Sequence, residues 1–368
     1  MSKPTLLILT DCMVVGGLEK LVCEAIHALH EQYDITVQTL FGDVHETVRE
    51  QIRDEAKLIT ASHSPKLNLF INLPVIGGWV LNRLVRERYD YLVVLRPALI
   101  MAGYSKIAKK TMMWYVEDND MKYANVSSLS FKQRINKIRI NKGYCKLDAT
   151  WVVNDEVQKA IAQAFPKATI VAIANPIDVE SVREKSQVAV ETLFPNQEEI
   201  KFVMVARLCY NKGVYRVLQA AKDLDRKVRF IVVGDGEDRA AMETFCKENG
   251  MEESVAFVGM QANPYPYILQ ADALICPSHH ESFGIVMLEA MVLGKNIITS
   301  ATVGGKYLTQ NGKIGILTEN TDEGLAWGIG QFLADPGKYK KEGQALQKYA
   351  ETFDTSVFKQ KLLDALEK

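Results

Sequence analysis

The sequence predicts an α/β protein made of two doubly wound parallel sheets, and three observations lead there. Short apolar runs alternate with amphipathic helical segments through the first half. The alternation restarts after a polar interval, and several apolar runs end in glycine or proline turns that open a helix. Strand–helix alternation at this spacing calls for parallel strands with crossover helices on both faces. A chain of 368 residues suits two such domains better than one.

In the first half the apolar runs place strands at Thr5–Thr10, Ile35–Leu40, Lys57–Thr60, Tyr91–Leu95, Met112–Val116, Thr150–Val153 and Thr169–Ile173. Helical spacing falls between them, notably over Leu18–His30, Leu73–Arg88 and Asp155–Ala164. A stretch poor in periodic apolar positions follows Asn175-Pro176-Ile177-Asp178 and continues to Gln197, so the first domain is drawn as residues 1–178 and the second as 179–352. The second series of strands is Lys201–Ala206, Val228–Val233, Val255–Val258, Ala273–Cys276, Asn296–Thr299 and Ile314–Leu317. An amphipathic helix within residues 353–368 ends the chain.

Composition narrows the function classes. Hydrophobic residues at 48% and charged residues at 24% describe an ordinary globular protein with ample core. A net charge of −1 gives no reason to expect nucleic acid as a partner. Six cysteines show no Cys-x-x-Cys pairing, which suggests buried thiols in a reducing cytoplasm and argues against zinc. Thr5–Thr10 is too short for a secretion signal and reads as the first core strand, and no run approaches a membrane span. The location expected from this is cytoplasmic.

The most informative stretch is Pro277–Met291. Pro277 stops the strand Ala273–Cys276, Ser278 to Phe283 form a loop, and from Gly284 the residues Ile285, Leu288 and Val292 recur at helical spacing. A loop at the carboxyl end of a parallel strand, leading into a helix N-terminus, is where open α/β sheets bind ligands and where free N–H groups favour phosphate. Glu281 and Glu289 lie on this anion-friendly backbone. Two acids there are tolerable if they grip neutral hydroxyls of the same ligand, which describes a nucleotide-sugar.

Ser278-x-x-Glu281-Ser282-Phe283-Gly284, the Glu281-x7-Glu289 spacing and the Glu-Ala-Met-x-x-Gly-Lys ending at Lys295 together resemble the retaining glycosyltransferases of family 4. Arg207-Leu208…Lys212-Gly213 matches the family's cation element, and Gly16-Gly17-x-Glu19 its glycine element after the first strand. The resemblance implies the GT-B architecture: two Rossmann-like domains with a cleft between them, the last helix crossing back to the first domain. It implies that Glu281 holds the donor sugar's hydroxyls and Glu289 the ribose. Backbone N–H groups of Phe283, Gly284 and Ile285 would meet sugar and phosphates, Ser282 stands in the donor pocket where many members have glycine, and Gly16 and Gly17 face the donor phosphates. Gly234 and Gly236 at one strand end, with Gly259 and Met260 at the next, would flank the base, and Thr302-Val303-Gly304-Gly305 would form a glycine turn closing over the donor. Arg207 and Lys212 would neutralise the leaving diphosphate, so neither a metal nor a cofactor is implied. Where the family often carries a histidine after the Met112–Val116 strand, this chain has Glu117 or Asp118, either of which could shape the acceptor side.

Other motifs point less far. Asp118-Asn119-Asp120 has the spacing of a metal-binding acid pair but reads better as a polar loop. Adjacent His279 and His280 point apart and lack partners. Gly234-x-Gly236 could open a dinucleotide fold, yet Arg239 stands where the third glycine belongs. Lys132 to Lys146 is basic, with Phe131, Ile135 and Ile138 at helical spacing, and the Pro74–Leu84 segment ends near Arg83, Arg86 and Arg88. Both suit anionic lipid headgroups, hence a peripheral position at the inner membrane face. The expected function is transfer of a sugar, from a UDP-sugar in preference to GDP-mannose, to a glycan or lipid-linked glycan in surface polysaccharide synthesis. A noncatalytic nucleotide-sugar-binding partner and a phosphorylase-like enzyme are the alternatives.

Overall fold

The computed structural model describes residues 2–13, 17–42, 44–61, 66, 70–95, 97–115, 119–124, 129–196, 198–222, 224 and 228–367. Contacts divide the chain into two compact units: Met1–Pro176 with Thr355–Lys368, and Ile177–Asp354. The division falls at 176/177 rather than 178/179, because Ile177 bridges Asp354 and donates its N–H to the Phe353 carbonyl at 2.9 Å. The polar interval that follows contains a helix, Val179–Ser186, capped by Asp178.

The first unit holds β1 (Thr5–Thr10), β2 (Asp34–Thr39), β3 (Lys57–Thr60), β4 (Tyr89–Leu95), β5 (Ala108–Tyr115), β6 (Ala149–Val152) and β7 (Ile170–Ala172). They form one parallel sheet in the order β3-β2-β1-β4-β5-β6-β7. The core gathers Leu6, Ile8, Val93, Leu95, Trp114 and Trp151 under the helices. Phe358, Leu362, Ala365 and Leu366 of the closing helix, Thr355–Glu367, join the same core, with Phe358 beside Trp114.

The second unit holds β8 (Ile200–Val205), β9 (Val228–Val233), β10 (Val255–Gly259), β11 (Ala273–Cys276), β12 (Asn296–Ser300) and β13 (Ile316–Thr318). Again all pair in parallel, in the order β10-β9-β8-β11-β12-β13. Strands buried on both faces must be near-continuous apolar runs, and β11 and β12 are buried along their whole length. All thirteen expected strands are present, most with ends shifted by a residue or two.

One helix departs from expectation. In place of Leu73–Arg88 the helix runs Ile76–Leu84. Val75 ahead of it has φ 67° and ψ −53°, and Ile76 N–H bonds the Pro74 carbonyl at 2.7 Å, a tight three-residue turn that a β-branched residue adopts under strain. Added Cβ atoms on Gly77 and Gly78 would collide with the Ile71 carbonyl and Tyr104 backbone, so these glycines seat the helix against its neighbours. Trp79 is left on the outer face.

Candidate functional site

In each sheet the strand order reverses beside the first strand: β1 lies between β2 and β4, and β8 between β9 and β11. Such a reversal splays the loops that leave the two strands and opens a crevice at their carboxyl ends. In the second unit those loops are residues 206–213 and 277–284, which carry the candidate donor residues.

Backbone contacts lock the two loops together. His279 N–H donates to the Asn211 carbonyl at 2.9 Å, and the Ser300 hydroxyl donates to the Ser278 carbonyl at 2.6 Å. Gly213 has φ 67°, and a Cβ there would meet the Pro277 carbonyl. Phe283 is buried against Tyr307 and Phe353, while Gly304 N–H donates to the Glu281 carbonyl at 2.7 Å. Gly284, at φ 88°, turns the loop into the helix Ile285–Val292. The chain must adopt a left-handed conformation at this point, which glycine does without a steric penalty.

Two of the expected site residues meet. Lys212 Nζ lies 2.8 Å from Glu281 Oε2, with the side chains 33% and 17% exposed. Burial works against the lysine's charge, but the Glu281 carboxylate outweighs it and raises the Lys212 pKa above the ordinary value. The pair sits beside a cavity of only about 20 Å³, roughly the room of one water. Arg207, one turn of chain before Lys212, is exposed and has no carboxylate within ion-pair distance among the described residues. Glu289 is elsewhere: 7% exposed, it accepts the Tyr265 hydroxyl at 3.1 Å.

The paired glycines after β9 have a packing reason. A Cβ on Gly234, at φ 135°, would strike the Ala206 carbonyl, and one on Gly236 the Leu208 carbonyl. The loop carrying Arg207 therefore lies directly on this glycine turn. It is pinned there by Leu208 N–H to the Asp235 carbonyl at 2.9 Å and Asp238 N–H to the Leu208 carbonyl at 3.0 Å. Gly259 ends β10 at φ 72°, its carbonyl taking the Gly234 N–H at 2.8 Å, and Met260 beyond it is exposed. Thr302-Val303-Gly304-Gly305 is the start of a helix, Val303–Leu308, capped by Thr302, and not a glycine turn. A Cβ on Gly304 would meet the Phe283 carbonyl, so the glycine admits the site loop.

In the first unit, Gly17 opens the helix Gly17–Leu29, with Glu19 buried in its first turn. Gly16, Glu117 and Asp118 lie outside the described residues. Asp120 of the Asp-x-Asp run is buried beneath Tyr144, whose hydroxyl donates to it at 3.0 Å.

The basic segment forms the helix Phe131–Tyr144, opened by a capping box between Ser130 and Gln133. It packs through Ile140, Gly143 and Tyr144, so Phe131, Ile135 and Ile138 face outward, Phe131 at 80% exposure. Not every cation there is free. Lys137 donates to the Tyr123 carbonyl at 2.9 Å and Arg139 to the Asn72 carbonyl at 3.0 Å. The second bond sets the helix beside the segment carrying Phe70, Leu73, Val75, Ile76 and Trp79, all exposed. Arg83 stacks over Trp79 at 4.6 Å.

Sequence reasoning missed the Lys212–Glu281 pairing, although both residues were singled out. It also missed Arg216, a buried arginine that donates to Asp322 at 2.6 Å, Asn320 at 2.9 Å and the Pro277 carbonyl at 3.1 Å. An arginine in the first turn of an amphipathic helix looks like a solvated charge, and no local pattern distinguishes it.

Two Rossmann-like units with parallel sheets define the GT-B fold, the class to which solved structures also assign the chain. It aligns with HepE of Anabaena in complex with UDP at a TM-score of 0.77, 20% identity and 99% of each chain. With the apo form of the lipopolysaccharide outer core galactosyltransferase WaaB the TM-score is 0.74, at 16% identity over 98% of this chain and 99% of that one. Residues 187–352 match the family model described as Glycosyl transferases group 1. Among curated relatives, the lipopolysaccharide core biosynthesis glycosyltransferase LpsD of Rhizobium meliloti is 24% identical over 70% of this chain and 69% of its own length. An uncharacterized glycosyltransferase of Methanocaldococcus jannaschii is 31% identical over 38% of each protein, so this match spans less than two fifths of that relative.

Proposed function

We propose that the chain is a retaining glycosyltransferase of the family-4 type, moving a sugar from a UDP-sugar to a glycan or lipid-linked glycan during surface polysaccharide assembly. The observation that carries this reading is the Lys212–Glu281 ion pair at the β8/β11 switch point, with the exposed Arg207 on the same loop as Lys212. Departure of a nucleoside diphosphate builds negative charge on its oxygens, and fixed cations lower the barrier most where that charge develops. Lys212 supplies a point charge and Arg207 a planar fork, together doing the work of a divalent ion. In the free protein Glu281 occupies Lys212; on donor binding the diphosphate takes the lysine and the freed carboxylate accepts sugar hydroxyls. The UDP bound by HepE and the lipopolysaccharide role in the LpsD name support the donor and the pathway class.

Either Glu117 or Asp118 serves the acceptor side in this reading, and Glu289 keeps its ribose role while sharing Tyr265. The chain works at the cytoplasmic face of an anionic membrane, resting there through the Phe131 and Trp79 faces. Among the described residues no helix is long and apolar enough to cross a membrane. The test is UDP release from UDP-glucose and UDP-galactose, with and without EDTA and with polysaccharide precursors as acceptors. Release that survives EDTA and rises with an acceptor supports the reading. UDP binding with no release under any acceptor would mean a binding partner instead, and dependence on inorganic phosphate a phosphorylase.

A further inference from the structure

The second unit contains a larger hollow than the one beside Lys212, and the donor reading makes no use of it. It measures about 400 Å³ and lies between the helix starts after β8, β9 and β13. Tyr210 and His279 line it together with the buried Arg216 and the polar side chains of Gln219, Asp238 and Asp322. Neither Lys212 nor Glu281 lines it.

The hollow is rigidly built. The buried Arg216 guanidinium ties the helix Val214–Ala221 to the Pro277 carbonyl, Asn320 and Asp322 at once. Asn320 in turn donates to the His279 carbonyl at 2.9 Å. The His279 ring stacks on Tyr210 at 4.5 Å between centroids and 16° between planes. Burial, and then the charge of Arg216, holds the His279 pKa below its ordinary value, so a neutral ring lies against the tyrosine near pH 7. Tyr210 is thus fixed in orientation while remaining 78% exposed, an unusual outlay of aromatic surface. Asp238 stands at the N-cap of the helix Arg239–Glu248 without a side-chain bond to that helix, and it lines the hollow.

We infer that this hollow is a second saccharide site, binding a neutral glycan with one sugar ring flat on Tyr210 and its hydroxyls held by Asp238, Asp322 and Gln219. The axial C–H bonds of a pyranose suit an aromatic face, and carboxylates and amides are the usual partners of sugar hydroxyls. Arg216 neutralises Asp322, so the lining keeps one negative charge in excess, that of Asp238, which disfavours a phosphate or an acidic sugar. A volume of this size falls within the range of small-ligand pockets. The inference does not rest on the donor reading.

Saturation-transfer NMR with maltotriose, lactose and digalacturonate, at saturating UDP, tests it. Ring protons of maltotriose or lactose should be saturated by the parent protein and by Tyr210→Phe, and at least fivefold less by Tyr210→Ala, with digalacturonate weakest throughout. No transfer to either neutral sugar, equal transfer in Tyr210→Ala, or preference for digalacturonate would overturn the inference. UDP titrated into UDP-free samples of the same three proteins reports separately on the donor site, because Tyr210 does not line the Lys212 cavity.

Discussion

Lys212 is held by Glu281, a partner it would give up under the proposed mechanism, and this single contact shapes what substitutions there should do. Lys212→Ala removes the cation proposed to receive the diphosphate and leaves Glu281, 17% exposed, without its counter-charge. Loss of one such transition-state contact costs about 10²–10³ in kcat. With the lysine a third exposed, solvent screens the lost ion pair, and stability should fall by only about 1 kcal/mol. Circular dichroism melts beside turnover rates separate the two effects. Both residues could be picked out from the chain because their motifs fix them at the ends of apolar runs. Their pairing could not, since 69 residues of chain separate them and only the folded sheet brings β8 and β11 side by side. The burial of Glu289 under Tyr265 escaped notice for the same reason.

Among the elements, the turn after β9 shows how packing and site share residues. Gly234 looks like a ligand-approach glycine in sequence, yet the space its Cβ would fill belongs to the Ala206 carbonyl. Gly234→Ala should therefore destabilise the second unit by about 2 kcal/mol or more through backbone strain and collision, and shift the Arg207 loop with it. A melting temperature unchanged from the parent would show that the turn can relax. In the first unit Asp90 ties the start of β1 to β4, accepting from the Thr5 N–H and hydroxyl at 2.8 and 3.0 Å and pairing with Lys109 at 2.6 Å. The Lys109 bond first, then those from Thr5, lower its pKa to about 2. A depressed carboxylate stabilises the fold above its unfolded pKa and loses that contribution as pH falls. Asp90→Asn should consequently flatten the acid limb between about pH 4 and pH 2, read from urea midpoints across that window. Strand placement was legible because parallel strands buried on both faces are plain apolar runs. The helix after Pro74 was not, because the turn at Val75 breaks an otherwise helical apolar pattern without a glycine to mark it.

At the scale of the molecule, the same design occurs twice: a parallel sheet whose order reverses beside its first strand, with the candidate donor residues described here in the second unit. The two series of apolar runs made this repetition readable from the chain, whereas the return of the last helix was expected from the family resemblance alone. The helical spacing of Phe131, Ile135 and Ile138 suited a lipid-facing surface but is also that of core helices, and it is the fold that leaves them and Trp79 facing outward. These side chains and the exposed Lys132, Lys142 and Lys146 should bind vesicles containing phosphatidylglycerol, with Trp79 emission shifting to the blue. Binding should weaken with added salt. Lys132→Glu with Lys142→Glu should lower cosedimentation severalfold, and equal binding to neutral vesicles would argue against the surface. The donor site itself is tested most directly by calorimetric titration of UDP into the parent, Lys212→Ala and Glu281→Gln proteins. In the proposed mechanism Glu281 and the diphosphate compete for one lysine, so Glu281→Gln should bind UDP at least as tightly as the parent while losing transfer, and Lys212→Ala should bind it about tenfold or more weakly, ~1.4 kcal/mol. Equal UDP affinity in all three proteins would contradict a diphosphate site at this ion pair.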